Sequence, residues 1–100
     1  MLMNYEVILH PDLYKDLKRL SKMQQILVFK QFKKLQVSPG LGDFLGNRAG
    51  YDLSGFRKLY VDKKKIRIVY RIVEEKIVVE VIAVGKRDEM AVYEKAWERK

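Results

Sequence analysis

The chain has 100 residues, of which 48% are hydrophobic and 34% charged, proportions that are typical of one folded domain and exclude a multidomain enzyme. It contains no cysteine and a single histidine, His10, which excludes disulfides, thiolate nucleophiles and metal sites built from cysteines or several histidines. The 21 Lys and Arg against 13 Asp and Glu give a net charge of +8, a bias whose usual partners are nucleic acid phosphates or anionic membranes.

The N-terminal part of the chain predicts one strand followed by two helices. Apolar residues alternate from Leu2 to His10, which is the pattern of a strand with one covered face. After Pro11 the spacing predicts an amphipathic helix, with apolar Leu13, Leu17 and Leu20 interleaved with polar Lys15, Asp16, Lys18 and Arg19. A second periodic run from Ile26 to Gln36 stops at Ser38-Pro39-Gly40, so we expect the two helices to form a hairpin.

Residues 38 to 55 predict a long connection, because they contain five of the six glycines and show no sustained period. Their Gly40-Leu41-Gly42 sequence continues into neither a dinucleotide fingerprint nor a phosphate-binding loop, which argues against nucleotide binding. Three β-rich runs separated by short polar turns then predict an antiparallel meander: Phe56–Val61, Ile66–Val73 and Ile77–Val84. Helical spacing of apolar residues up to Arg99 predicts a C-terminal helix with Asp88 as its cap.

The turn between the first two strands of the meander decides which side chains share a face. We expect Val61 to lie opposite Ile66, and cross-strand partners lie on the same face. One face then carries the polar set Lys58, Tyr60, Arg67 and Arg71. The other carries the apolar set Leu59, Val61, Ile66, Ile68, Tyr70 and Ile72, which we expect to meet the two helices.

The third strand of the meander is expected to bring another arginine to the polar face. With Ile72 opposite Ile77, the end of this strand places Arg87 next to Tyr60 and Arg67. Cations beside aromatic rings suit a flexible RNA strand, with its phosphates on the cations and its bases on the rings. The alternative is that these basic residues only solvate an open face of the sheet.

Three segments of the chain resemble the RelE/ParE toxins of bacterial and archaeal toxin–antitoxin systems. They are Leu53–Val61, Arg67–Ile72 and Val81–Arg87, the last followed by Val92-Tyr93. The resemblance covers nearly the whole chain, and its tail is similar to the RelE branch. It implies one RelE-like domain over residues 1–100 with an α+β fold: an N-terminal strand, a two-helix hairpin packed on an antiparallel β-sheet meander, and a short C-terminal helix.

The resemblance also implies an endoribonuclease that enters the ribosomal A site and cuts messenger RNA by attack of a 2′-OH on the adjacent phosphate. Arg67 and Arg87 match the family's phosphate-stabilising arginines. Tyr93 matches its active-site tyrosine, and Lys58 matches the first of two basic residues on one strand. Tyr60 occupies the second basic position, where its ring could stack on a base or its hydroxyl could contact phosphate or relay a proton.

Further candidate RNA-binding residues are Arg48, Arg57, Tyr60, Lys63, Lys64, Lys65, Arg71 and Lys86. A lysine of the 63–65 turn could replace the missing basic residue. The family often carries an arginine where Ser54 stands, for which Arg48 or Arg57 could compensate. The partners implied by the resemblance are an acidic antitoxin protein, the ribosome and messenger RNA, with no metal or other cofactor.

Two alternatives to this activity stay open. A ParE-like protein would poison DNA gyrase without cutting RNA, and a nuclease-dead relative would only bind RNA or ribosomes, since a shared fold does not fix function. Tyr93 lies on an apolar helical stripe and could equally be a core residue. The N-terminus has no basic region and the apolar stretches are too short to span a bilayer, so we expect a cytoplasmic protein without a membrane partner.

Overall fold

A computed structural model of the protein describes residues 4–87 and 91–100. Its elements in chain order are strand β1 (Glu6–Leu9), helices α1 (Leu13–Lys18) and α2 (Lys22–Val37), strands β2 (Asp43–Phe44), β3 (Asn47–Arg48), β4 (Tyr51–Asp52), β5 (Phe56–Val61), β6 (Ile66–Val73) and β7 (Val78–Lys86), and helix α3 (Ala91–Arg99). The predicted strand, helical hairpin, meander and C-terminal helix are thereby confirmed. Asp88, the predicted cap of the last helix, lies outside the described residues.

Short-range hydrogen bonds define where the two N-terminal helices begin and end. The Ser21 hydroxyl accepts a hydrogen bond from the Gln24 amide at 3.1 Å, and the Gln24 side chain accepts one from the Ser21 amide at 3.2 Å, a capping box that starts α2. Pro39 follows the end of α2 and cannot continue it. The His10 imidazole accepts a hydrogen bond from the Asp12 amide at 3.0 Å, so the histidine closes the turn into α1. Within the described ranges no helix has the length and apolar character needed to cross a membrane.

The strands form a five-stranded sheet in the order β1-β7-β6-β5-β2 and a separate hairpin of β3 and β4. Strands β5, β6 and β7 are antiparallel as predicted. Strand β1 adds to the edge of β7 in the parallel direction, so the sheet is mixed. The helical hairpin follows β1 and carries the chain over one face of the sheet, and no tight turn joins β1 to β7 that would force them antiparallel.

Apolar side chains cover both faces of this sheet. The face toward α1 and α2 carries the predicted apolar set, of which Leu59 and Ile72 are partly buried and the other four are buried with helix residues, in a cluster that includes Leu13, Leu20, Val28, Phe32, Leu35, Val61, Ile66, Ile68 and Tyr70. On the opposite face a second cluster joins α3 and the segment before β5 to the sheet: Leu45, Leu53, Phe56, Val69, Ile82, Ala83, Val92, Tyr93 and Ala96. The polar face is therefore only partly open, because α3 covers much of it.

The predicted register is confirmed for the first hairpin and wrong for the second. Val61 pairs with Ile66 and Tyr60 with Arg67. Ile72 pairs with Val79 instead of Ile77, and the β6–β7 register shifts between Val69 and Tyr70. The difference arises at the turn, where a 3-10 helix at 74–76 is followed by Ile77 in the left-handed conformation with φ 54°, so this residue belongs to the turn and not to the strand.

The segment predicted as a long connection contains ordered pairings. Strand β2 pairs with β5, placing Asp43 opposite Lys58, while β3 and β4 form a small hairpin. The Tyr70 hydroxyl donates to the Pro39 carbonyl at 2.8 Å and accepts from the Gly42 amide at 2.7 Å. A Cβ at Gly42 would lie 2.6 Å from the Lys58 carbonyl oxygen. Glycine is therefore needed at position 42 for this loop to pack against β5 at Lys58.

Candidate functional site

Three cationic side chains surround one tyrosine at the end of the sheet where the β5–β6 turn lies. The Lys58 ammonium donates a hydrogen bond to the Tyr60 hydroxyl at 2.9 Å. The guanidinium carbons of Arg67 and Arg87 lie 5.8 Å and 5.9 Å from the centre of the Tyr60 ring. We call Lys58, Tyr60, Arg67 and Arg87 the Tyr60 cluster. The predicted convergence of these residues is thus present in the structure.

Strand pairing and backbone contacts position Tyr60, Arg67 and Arg87 in the cluster. Tyr60 and Arg67 are paired across β5 and β6, and Arg67 is paired with Gly85 on β7. A Cβ at Gly85 would lie 3.0 Å from Cβ of Val92, so a glycine here lets α3 approach the sheet. The Arg87 amide donates to the Lys65 carbonyl at 2.8 Å, which fixes the end of β7 against the turn.

Tyr93 joins the cluster through Arg67. Its ring centre lies 4.8 Å from the Arg67 guanidinium carbon, so Arg67 lies near the rings of both tyrosines. Tyr93 is only 2% exposed and packs in the second apolar cluster. The tyrosine is therefore both a core residue and a neighbour of the cationic group, and these two interpretations of its helical stripe are compatible.

Two nitrogen atoms of the Arg67 guanidinium lack hydrogen-bond partners among the described residues. Its Nε and Nη1 atoms are buried, and neither has a hydrogen-bond partner within residues 4–87 and 91–100. Buried donors are nearly always paired, since an unpaired one costs about 1–3 kcal/mol. A guanidinium N–H donates strongly to the oxygens of a phosphate group. Arg67 is thus chemically suited to hold a phosphate.

The cations change the acidity of the central tyrosine. The hydrogen bond from the Lys58 ammonium, followed by the adjacent Arg67 guanidinium, lowers the pKa of Tyr60 from 10.0 to about 8. Positive charge stabilises the phenolate, and this effect outweighs the opposing effect of partial burial. Tyr60 therefore ionises close to neutral pH, which an ordinary tyrosine does not.

A basic groove adjoins the cluster at Arg87. It has a volume of about 480 Å³, and its lining consists of Gln24, Lys63, Lys64, Lys65, Ile66, Lys86 and Arg87. Lys63 and Lys64 have φ values of 54° and 70°, the left-handed region required at both central positions of a type I′ turn. The turn is anchored because the Gln24 side chain donates to the Asp62 carboxylate at 3.0 Å.

Three of the predicted RNA-binding arginines lie elsewhere. Arg57 is on the helix-facing side of β5, where it donates to the Gly42 carbonyl at 2.8 Å and lies over the Phe44 ring. Arg71 forms an ion pair with Glu80 at 2.7 Å. Arg48 lies on the β3–β4 hairpin and contacts its neighbouring carbonyl at 3.5 Å. The structure therefore brings none of the three into contact with the Tyr60 cluster.

The sequence analysis missed a buried ion pair behind the site. Asp16, interpreted as one of the polar residues of an amphipathic helix, is 1% exposed. It accepts hydrogen bonds from Arg99 at 2.8 Å and from the Val84 amide at 3.0 Å. The signal was available, because position 16 lies on the same helical face as Leu13 and Leu20. Among the described residues no group of three or more His, Cys, Asp and Glu side chains could hold a metal ion.

Comparison with known proteins places the chain in a family. A sequence model described as ParE toxin of type II toxin-antitoxin system, parDE, matches residues 7–91. This chain is 31% identical over 100 residues to an Escherichia coli protein described as a RelE-like toxin. The alignment covers 97% of this chain and 98% of the relative.

Solved structures agree with the sequence matches. An arginine double mutant of the E. coli toxin RelE in the free state has a TM-score of 0.77 at 25% identity, covering 97% of this chain and 98% of that chain. A mutant of the same toxin in complex with an antitoxin RelBc peptide has a TM-score of 0.70 at 25% identity, covering 98% and 99%. The chain therefore belongs to the RelE/ParE superfamily of toxins from type II toxin–antitoxin systems.

Proposed function

We propose that this RelE-like toxin is a ribosome-dependent endoribonuclease that cleaves messenger RNA in the cytoplasm. The observation that carries the proposal is the convergence of Lys58, Arg67 and Arg87 around Tyr60, with Tyr93 against Arg67, at the end of the sheet beside a basic groove. The resemblance to the RelE branch assigns catalytic roles to Lys58, Arg67, Arg87 and Tyr93, whereas Tyr60 departs from the family pattern.

The chemistry needs no metal if the protein supplies positive charge to the reacting phosphate. Attack of a 2′-OH forms a bond to phosphorus and breaks the bond to the 5′-oxygen, through a phosphorane that carries extra negative charge. Arg67 and Arg87 are the groups we assign to this charge, because preorganised cations in a partly buried site stabilise it most effectively. Tyr93 packs against Arg67 and holds its guanidinium in place.

The basic groove is assigned to docking and not to chemistry. Lys63, Lys64, Lys65 and Lys86 line it with Arg87, and a net charge of +8 favours binding to the phosphate backbone of RNA. Binding to ribosomes should weaken steeply as potassium chloride is raised, because each neutralised phosphate releases counterions. A salt-independent affinity would contradict the electrostatic assignment.

The decisive experiment is single-turnover cleavage of a defined message on programmed ribosomes, with the 5′ ends of the products mapped. We expect Arg87→Ala and Lys58→Ala to lose at least roughly 10²-fold in cleavage rate while keeping much of the ribosome affinity. Lys30→Ala, which removes a charge from the exposed side of α2, is the matched control and should cleave at the parent rate. Equal losses in ribosome affinity and cleavage rate would mean that both residues contribute only to binding the ribosome.

A second candidate function is inhibition of DNA gyrase. The description of the matching family model, which names ParE toxins, favours it. Purified protein that blocks DNA supercoiling by gyrase and leaves messages on ribosomes intact would establish this function and exclude the first. Protein that binds ribosomes but does neither would identify a nuclease-dead relative.

We also propose that an acidic antitoxin covers Arg67 and Arg87 in the inactive complex. Support comes from the excess of positive charge and from the solved complex of a similar toxin with an antitoxin peptide. Expression of the protein alone should arrest growth, and co-expression with the product of the neighbouring gene should relieve the arrest. A neighbouring product that neither co-purifies nor restores growth would contradict this assignment.

A further inference from the structure

Tyr60 is the only member of its cluster that becomes an anion when it loses its proton. Lys58, Arg67 and Arg87 surround it, and none of the three forms an ion pair with a carboxylate in the part of the chain that the structure describes. The concentration of positive charge favours a negative group at the centre of the cluster. A phenolate is the one anion that these four side chains can produce among themselves.

The phenol oxygen is held in a fixed position relative to the cations. The Lys58 ammonium donates to it at 2.9 Å, and the side chains of Tyr60 and Lys58 are both half-buried. Arg67 lies directly across the β5–β6 pairing and presents the buried, unpartnered Nε and Nη1 atoms noted above. The phenol oxygen and a phosphate-binding guanidinium are therefore neighbours on adjacent strands.

We propose that the Tyr60 phenolate is the general base that removes the proton from the attacking 2′-OH of the RNA. This inference rests on the proposed function. In this step the proton moves from the 2′-OH to the phenolate oxygen as the 2′-oxygen bonds to phosphorus. The 5′-oxygen leaves as an alkoxide and takes a proton from water, and the resulting hydroxide removes the proton from the neutral tyrosine.

The lowered pKa of Tyr60 supports its proposed role as general base. With a pKa of about 8, about a quarter of the molecules hold the phenolate near pH 7.5, against well under a hundredth for an ordinary tyrosine. Lys58 then acts on the phenol oxygen as hydrogen-bond donor to its ionised form.

Two measurements on the full chain test the inference. The first is a spectrophotometric titration of tyrosinate absorbance, in which the parent should show one ionisation near pH 8 that Tyr60→Phe removes. Tyr14→Phe, which changes an exposed tyrosine on α1, is the matched control and should leave that ionisation unchanged. A parent without an ionisation below pH 9 would contradict the proposed state of Tyr60.

The second measurement is the pH dependence of single-turnover cleavage on programmed ribosomes. The parent rate should rise with pH up to about 8, and Tyr60→Phe should lose at least roughly 10²-fold together with that rise. Tyr60→Phe that cleaves like the parent at every pH would overturn this inference alone and indicate that the ring stacks on a base. A parent that cleaves no message at any pH would overturn the proposed function, and the inference with it.

Discussion

Removal of the buried Asp16 carboxylate should destabilise the protein more than removal of a charged group at the surface. Its side chain is fully buried, and it accepts hydrogen bonds from both terminal nitrogens of Arg99 at 2.8 Å and 3.1 Å, from Lys95 at 3.3 Å and from the Val84 amide at 3.0 Å. Arg99 also donates to the Ile82 carbonyl at 3.0 Å. One carboxylate thus joins α1, α3 and β7.

The magnitude follows from what Asp16→Ala leaves behind. Breaking a buried ion pair by removing one partner costs about 3–5 kcal/mol. The Arg99 and Lys95 side chains remain 12% and 24% exposed, so water can solvate them partly and we expect the lower end, about 3 kcal/mol. For a domain of this size each kcal/mol corresponds to a shift in Tm of about 4–8 °C, so Tm should fall by roughly 12–24 °C.

Thermal and urea unfolding followed by circular dichroism measure this loss directly. The matched control is Asp12→Ala, because Asp12 pairs with Lys15 at 3.7 Å on the surface, with both side chains about half exposed or more. Such surface pairs contribute about 0–1 kcal/mol. Equal destabilisation by Asp12→Ala and Asp16→Ala would refute the reasoning, as would an unchanged Tm for Asp16→Ala.

Three other changes test contacts that position the site. Gly42→Ala should lower Tm, because its Cβ would lie 2.6 Å from a backbone oxygen, whereas Gly40→Ala, with nothing within 4 Å, should not. Tyr70→Phe should reduce the free energy of unfolding by about 1–3 kcal/mol, since the buried Gly42 amide and the partly buried Pro39 carbonyl lose their partner. Burial raises the pKa of Tyr70, so its stabilising contribution is fully present below the unfolded pKa of about 10 and is lost as pH rises through the folded value. Lys64→Gly should stabilise the fold by about 1 kcal/mol by relieving a left-handed φ, while lowering the salt dependence of ribosome binding by about one charge.

The part of the site on the first hairpin was predictable because its geometry is local. A four-residue turn leaves few ways to pair the flanking strands, and the period of two then decides that Tyr60 and Arg67 share a face. The residue types completed the prediction, since Arg67 is a charged residue between two apolar ones, Ile66 and Ile68. Sequence reasoning therefore placed these side chains together without knowledge of the helices.

The second hairpin was not predictable by the same argument. Ile77 is a β-branched residue, and such residues rarely adopt the left-handed conformation that it has in the turn. The register shift between Val69 and Tyr70 has no signal such as glycine or proline in the sequence. Arg87 still reaches the cluster because β7 ends beside the β5–β6 turn, where the Arg87 amide donates to the Lys65 carbonyl.

The interaction of Asp16 with Arg99 joins residues far apart in sequence, and no local pattern reveals its partner. Its consequence for the site can still be argued from β7. The Val84 amide donates to Asp16, and the next residue, Gly85, is paired with Arg67 and packs against Val92 of α3. The carboxylate that anchors α3 thus contacts β7 one residue from Gly85, the position that pairs with Arg67. Because α3 also carries Tyr93 against Arg67, loosening of this helix in Asp16→Ala should expose the Arg67 guanidinium to water and weaken the charge stabilisation that we propose for it.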